Sequence, residues 1–215
     1  MISGGAVVLL PDPVDSLATW ERLARLFAGR GHLVFVPQIV VRHPTASLPV
    51  WGRPEDPGAP WASAWEEVVA VLAQAGAAIG QGGPVVLGGT GRGAAAAAVA
   101  ASRLSRPAVA LLLIAPVREL VRLPVGPLLA GLAMPALVLA PTDDRDKANA
   151  AREIHLAARP ACRLWTIDGY ACSPRTLGAR PKLAVDLADW VGRQLSGGIP
   201  AVDAEGPPQE KRESR

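Results

Sequence analysis

The stretch Pro84-Val85-Val86-Leu87-Gly88-Gly89-Thr90-Gly91-Arg92-Gly93-Ala94-Ala95-Ala96-Ala97-Ala98 decides how this chain folds. Pro84 to Leu87 reads as a short apolar strand, Gly88 to Gly93 as a glycine-dense turn, and the alanines as a helix. A strand feeding a helix through such a turn leaves backbone N–H groups and the positive end of the helix dipole facing outward. That arrangement suits a phosphate, a carboxylate or a developing oxyanion, and Arg92 adds a fixed positive charge. The competing reading is plainer: the glycines only allow a tight turn against Ala94 to Ala98.

Outward from this stretch, short apolar runs alternate with helical patterns. Ala6 to Leu10 is a buried strand closed by Pro11-Asp12-Pro13. Ser16 or Asp15 can cap the next helix, where Leu17, Trp20, Leu23 and Phe27 recur at spacings of three and four. Gly29-Arg30-Gly31 ends it. His32 to Val36 is the second strand, and an irregular loop from Pro37 to Pro60 follows. Trp61, Trp65, Val68 and Leu72 mark the inner face of another helix. Ala108 to Ile114, Ala136 to Ala140 and Arg163 to Ile167 supply strands four to six, with helices over about 145–158 and 181–195. Strands apolar on both faces predict a parallel sheet covered by helices on each side, within one α/β domain spanning residues 1–195. Residues 196–215 are rich in Gly, Pro and mixed charge and read as a disordered tail. No internal repeat is visible.

Composition narrows the function classes. A chain of 215 residues with 50% hydrophobic and 19% charged residues is globular, neither fibrous nor disordered. Aromatics are only 4%, so the core must be built from Ala, Val and Leu. The net charge of +3 comes from scattered arginines rather than a basic stripe with interleaved aromatics, which argues against nucleic-acid binding. Cys162 and Cys172 make neither a disulfide framework nor a metal-ligand set. Met1 to Val14 lacks a basic signal-peptide start, and no uninterrupted apolar run is long enough to span a bilayer. The expectation is a cytoplasmic protein that binds neither membrane nor metal and needs no cofactor. Its Ala, Arg, Gly and Pro bias suits a GC-rich bacterial coding sequence.

In open parallel sheets, ligands bind beyond the carboxyl ends of the strands. That rule selects Asp12 and Asp15 after the first strand, Gln38 and His43 after the second, and Thr90, Gly91 and Arg92 after the third. Arg118 follows the fourth strand, Asp143 and Asp144 the fifth, and Asp168, Tyr170, Cys172 and Ser173 the sixth. His32 begins a strand at the opposite edge and His155 lies within a helix, so both read as structural. A dinucleotide fingerprint fits poorly. Gly88-x-x-Gly91-x-x-Ala94 lacks its last glycine and follows the third strand, and Ile114-Ala115-Pro116 offers no acid for a ribose.

The chain resembles the α/β-hydrolase family in its small, lidless form, over about residues 5–195. Val85 to Ala98 resembles the nucleophile elbow, G-x-S-x-G. Met134-Pro135-Ala136-Leu137-Val138-Leu139-Ala140-Pro141-Thr142-Asp143-Asp144 is similar to the segment ending in the triad acid, and Leu164 to Gly169 to the last strand before the histidine. The resemblance implies a three-layer sandwich with strands ordered 2-1-3-4-5-6. The gap from Pro116 to Met134 is too short for a lid domain. Set on Gly88, the elbow motif places Thr90 in the serine slot and Arg92 where a glycine closes it. Asp144 then takes the acid slot and Cys172 the histidine slot, while Pro11-Asp12 replaces the family's His-Gly. Trp51, Trp61 and Leu48 would line a shallow cleft beneath the Pro37–Pro60 loop.

These departures disfavour ordinary ester hydrolysis. Threonine needs a nearby base to become a nucleophile, and cysteine cannot shuttle a proton as imidazole does. His43 is one candidate base. Asp144 fits both a helix cap and a site acid, since Thr142-Asp143-Asp144 is a good capping sequence. Cys172 fits both a nucleophile and a small residue filling the histidine's space. Two functions follow from the resemblance. One is a non-hydrolytic binder of a small molecule or acyl group, of anionic character, or an accessory protein. The other is an enzyme of acyl or carbonyl chemistry (an esterase, thioesterase, lactonase or cyclase type) using Thr90, Arg92 and Asp144. In either, Asp12, Gly91, Arg92 and His43 are the binding candidates.

Overall fold

Six parallel strands in the order β2-β1-β3-β4-β7-β8 form the sheet of this computed structural model. It describes residues 5–12, 14–37, 83–103, 108–120, 123–132, 134–158 and 160–197. The strands are β1 (Ala6–Leu10), β2 (Leu33–Phe35), β3 (Val85–Thr90), β4 (Ala110–Ile114), β7 (Ala136–Pro141) and β8 (Cys162–Ile167). Counting the six in chain order gives 2-1-3-4-5-6, the order the sequence predicts. Between β4 and β7 lies what the sequence reading missed: a two-stranded antiparallel pair, β5 (Glu119–Leu120) and β6 (Leu123–Pro124), and the short helix α3 (Val125–Ala130). The helix positions predicted at 61–72, the Pro37–Pro60 loop beyond Pro37, with Leu48, Trp51 and Trp61, and the tail beyond residue 197 lie outside the described residues.

Burial explains why the strands are apolar throughout. Val7, Leu9, Val86, Leu112 and Leu137 pack on one face with Trp20, Leu23 and Phe27 of α1 (Leu17–Ala28) and Leu187 and Val191 of α6 (Pro181–Leu195). The short helix α5 (Pro174–Gly178), read from sequence as loop, joins this layer through Leu177. Leu17, expected on the inner face of α1, is the first residue of the helix and is 43% exposed. Truncating Trp20 or Phe27 to alanine would cost about 3–5 kcal/mol.

On the other face, Ala6, Val8, Leu10, Leu87 and Leu111 meet α2 (Gly91–Arg103) and α4 (Arg145–Ala157). Ala94 to Ala98 of α2 are at most 4% exposed. Side chains of a single methyl group let this helix lie close against β1, β3 and β4.

The β3 boundary differs from expectation in a way that matters for the site. The strand continues through Gly88 and Gly89 to Thr90, pairing Gly88 with Leu9 and Gly89 with Leu10 of β1. These two glycines are therefore ladder residues and not part of the turn. The turn itself begins one step later.

Candidate functional site

β1 and β3 are neighbours in register, so the loop leaving β1 after Leu10 lies over the turn leaving β3 after Thr90. Gly91 makes that turn with a left-handed φ of +51°. A side chain there is strained by the backbone alone. A Cβ on Gly91 would also meet the tip of the Asp12 carboxylate, which would have to swing out of its bonds with Arg92. Gly89 and Gly93 are held small by the Leu10 carbonyl, which a Cβ on either would strike. The elbow is thus closed down on the β1 loop.

Hydrogen bonds fix this closure. Asp12 N–H donates to Thr90 Oγ1 at 2.9 Å and to Asp15 Oδ2 at 3.3 Å. The Thr90 hydroxyl donates in turn to Asp15 Oδ2. Asp12 Oδ2 accepts from Arg92 N–H at 2.8 Å and from Arg92 Nε at 3.4 Å. Its Oδ1 accepts from Arg92 Nη2 at 3.1 Å and from Val14 N–H at 3.3 Å. A carboxylate receiving backbone and guanidinium donors at a helix N-terminus makes charge-assisted bonds, stronger than neutral ones. Thr90 is buried, and the Arg92 and Asp12 side chains are 36% and 14% exposed, so the pair is only partly screened by solvent.

The sequence reading placed an external anion at this turn. The chain's own Asp12 carboxylate accepts from the Arg92 N–H at this turn. Asp15, read as a helix cap, serves neither as cap nor as spectator. Ser16 occupies the N-cap position of α1 without a side-chain capping bond, and Asp15 turns inward to Thr90. Its place at the carboxyl edge was the available signal.

The remaining candidates are dispersed in role. Asp144 caps α4, accepting from Lys147 N–H at 3.1 Å and pairing with Lys147 Nζ at 3.0 Å. The Lys147 hydrogen bonds hold its carboxyl below the usual range. Cys172 is 7% exposed, and burial pushes its thiol up to about 12, against smaller opposing pulls from Lys147, Arg180 and the Ala115 backbone. Burial disfavours the thiolate, which is the nucleophilic form. It is the small core residue that the sequence also allowed, packed beside the end of β4. Arg118 pairs with Glu153 at 2.8 Å. His43 lies outside the described residues. Among the described residues, no three His, Cys, Asp or Glu gather to hold a metal ion, and no helix is long and apolar enough to cross a membrane.

No protein-family profile and no curated protein matches the chain. Solved structures do. A carboxylesterase of the thaumarchaeon Nitrososphaera gargenis aligns with a TM-score of 0.68 at 10% identity, covering 92% of this chain and 93% of its own. A predicted CIB-like hydrolase of Thermoplasma acidophilum gives 0.65 at 12% identity, over 88% and 86%. The thioesterase domain of the curacin biosynthetic pathway gives 0.62 at 10% identity, over 89% and 92%. The chain has the α/β-hydrolase fold. At these identities the likeness is one of backbone architecture.

Within that fold the nucleophile sits on the sharp, strained residue of the strand-to-helix turn. Here the left-handed residue of that turn is Gly91, at the centre of Gly89-Thr90-Gly91-Arg92-Gly93. Thr90, which the sequence reading set in the serine slot, lies one residue before it. Thr90 ends β3 in a ladder position, and the apex carries no side chain. Arg92 follows Gly91, and its N–H donates to the Asp12 carboxylate.

Proposed function

We propose that this chain is a non-hydrolytic member of the α/β-hydrolase fold, a small-molecule binder or accessory protein of the bacterial cytoplasm. One observation carries the reading: the apex of the elbow is Gly91, and the Asp12 carboxylate fills the space that a nucleophilic side chain would need. The same carboxylate holds the Arg92 N–H. Removing one oxyanion donor costs about 10²–10³ in rate where a nucleophile is present. Here the nucleophile is missing as well. Cys172 in the histidine slot is a buried thiol and Asp144 in the acid slot caps a helix, so neither supplies a proton shuttle.

The ligand proposed is a small molecule or acyl group. An open groove of about 370 Å³ runs along the start of α1, lined by Leu17, Ala18, Trp20, Glu21, Ala24 and Val36. Its mostly apolar wall suits such a group better than an anion. No nucleic acid or membrane is part of this proposal.

The test is a serine-directed fluorophosphonate probe together with turnover of a p-nitrophenyl ester. The expected result is no covalent labelling and turnover far below the roughly 1 s⁻¹ of an ordinary enzyme. A second reading rests on the Thr90 hydroxyl, which already donates to the Asp15 carboxylate and so has a proton acceptor in place. Labelling that maps to Thr90 and vanishes in Asp15→Asn would overturn the first reading and establish acyl chemistry of an unusual kind.

A further inference from the structure

We propose that His32 is a pH-sensitive clasp: its neutral imidazole lets the end of α1 lock onto α6, and its protonation releases that joint. The clasp is built from the turn between α1 and β2. Gly31 takes a left-handed φ of +84° there and leads the chain through His32 into β2. α1 packs against α6, and two residues of the turn reach that helix. Arg30 Nη2 donates to Asp189 Oδ1 at 2.6 Å. His32 Nε2 lies 3.7 Å from where a Cβ on Gly192 would stand. Asp189 and Gly192, three residues apart, share one face of α6.

Two nitrogens of this turn lack acceptors. Arg30 Nη1 and His32 Nδ1 are both buried, and among the described residues neither has a hydrogen-bond partner. Arg30 already brings one positive charge, which Asp189 balances. A second cation fits badly. An imidazolium carries a proton on each ring nitrogen. On His32 one of these would be buried without an acceptor and the other would face a glycine, with the new charge beside Arg30. Burial and the Arg30 charge accordingly hold the His32 pKa below its ordinary 6.5.

The neighbouring elements offer little relief. Gly5, which precedes β1, accepts from Leu33 N–H and brings no charge. On α6, Arg193 adjoins Gly192 and is another cation, while Asp186 stands 4.0 Å from Lys182. Asp189 is therefore the carboxylate for which a protonated His32 competes, and Arg30 then loses its hold on α6. Because the folded-state pKa is the lower one, the unfolded chain takes up this proton first. The contribution of the clasp is present above the unfolded pKa and lost as pH falls through the folded value.

The experiment is thermal unfolding and amide hydrogen exchange of the full chain at neutral and mildly acidic pH, beside His32→Gln and Arg30→Met. His43 and His155 remain in all three chains, so the differences between chains report the clasp. Acid should lower the Tm of the unmodified chain by about 2 °C or more beyond its effect on His32→Gln. Exchange should quicken severalfold over residues 28–34 and 189–195 while that around Thr90 holds. Arg30→Met removes the neighbouring charge and should raise the His32 pKa read by NMR. That titration in the unmodified chain decides the matter even if a variant fails to fold. The proposal is overturned by an equal acid response in the unmodified and His32→Gln chains, or by exchange that quickens everywhere alike. A His32 pKa at or above 6.5, or one that Arg30→Met leaves unmoved, overturns it too.

Discussion

The Asp12 carboxylate occupies the position in which a side chain on Gly91 would begin. The two residues come from different loops, one leaving β1 and the other leaving β3. Gly91→Ser should destabilise the chain by about 2 kcal/mol or more, from left-handed strain of about 1–2 kcal/mol and the overlap with Asp12. In a domain of this size that is a fall of roughly 5 °C or more in Tm. Asp12→Gly in the same chain should recover part of the loss, a coupling visible in calorimetry as strong non-additivity. Additive effects would mean that the two sites do not share space.

Thr90→Val keeps the shape of a buried side chain and removes its hydroxyl. Asp12 N–H and the Asp15 carboxylate then lose their shared partner, at a cost of about 1–3 kcal/mol. Urea denaturation should show a lower midpoint with an unchanged slope. Adding Asp15→Ala should cost less in this background than in the unmodified chain.

Asp144→Ala should lower stability by about 1 kcal/mol as the loss of an N-cap, with no bearing on any ester turnover. Its folded-state pKa lies below the ordinary 3.8, so the charged form is the one the fold favours. The contribution is then present above the unfolded pKa and lost as pH falls through the lowered folded value. The gap between the unmodified chain and Asp144→Ala should hold from neutral pH down to the carboxylate range and close below it. A gap that persists in strong acid would point to packing rather than charge.

Iodoacetamide at mildly alkaline pH should leave the native chain unmodified at Cys162 and Cys172, since burial pushes both thiols up to about 12. Mass spectrometry after unfolding should find both alkylated. Native labelling of Cys172 would reopen the histidine slot as a reactive position.

The fold was legible because its signals repeat. Six apolar runs separated by helical spacing specify a covered parallel sheet, and the helix at Pro181–Leu195 begins and ends where its pattern does. The elbow was legible as a turn, but its apex was not. Gly88, Gly89, Gly91 and Gly93 all read as turn residues, and only the left-handed φ at Gly91 marks where the chain bends. Asp15 was legible as a carboxyl-edge candidate, but its bond to Thr90 was not, because an acid beside Ser16 at a helix start is a capping signal in its own right. The β5–β6 pair was missed because two-residue strands leave no periodicity to read.

The alanine helix α2 has a consequence for how this chain can vary. One base change converts an alanine codon to valine, threonine, serine, proline, aspartate, glutamate or glycine. All but glycine enlarge the side chain, and glycine loosens the helix by about 1 kcal/mol. With Ala94, Ala95, Ala97 and Ala98 fully buried, each of those steps meets either overpacking or a weakened helix. The segment behind the elbow is therefore poor in neutral neighbours. Genetic drift in this protein should collect instead on the solvent side of α1, α4 and α6, leaving the framework behind the Gly91 turn unchanged.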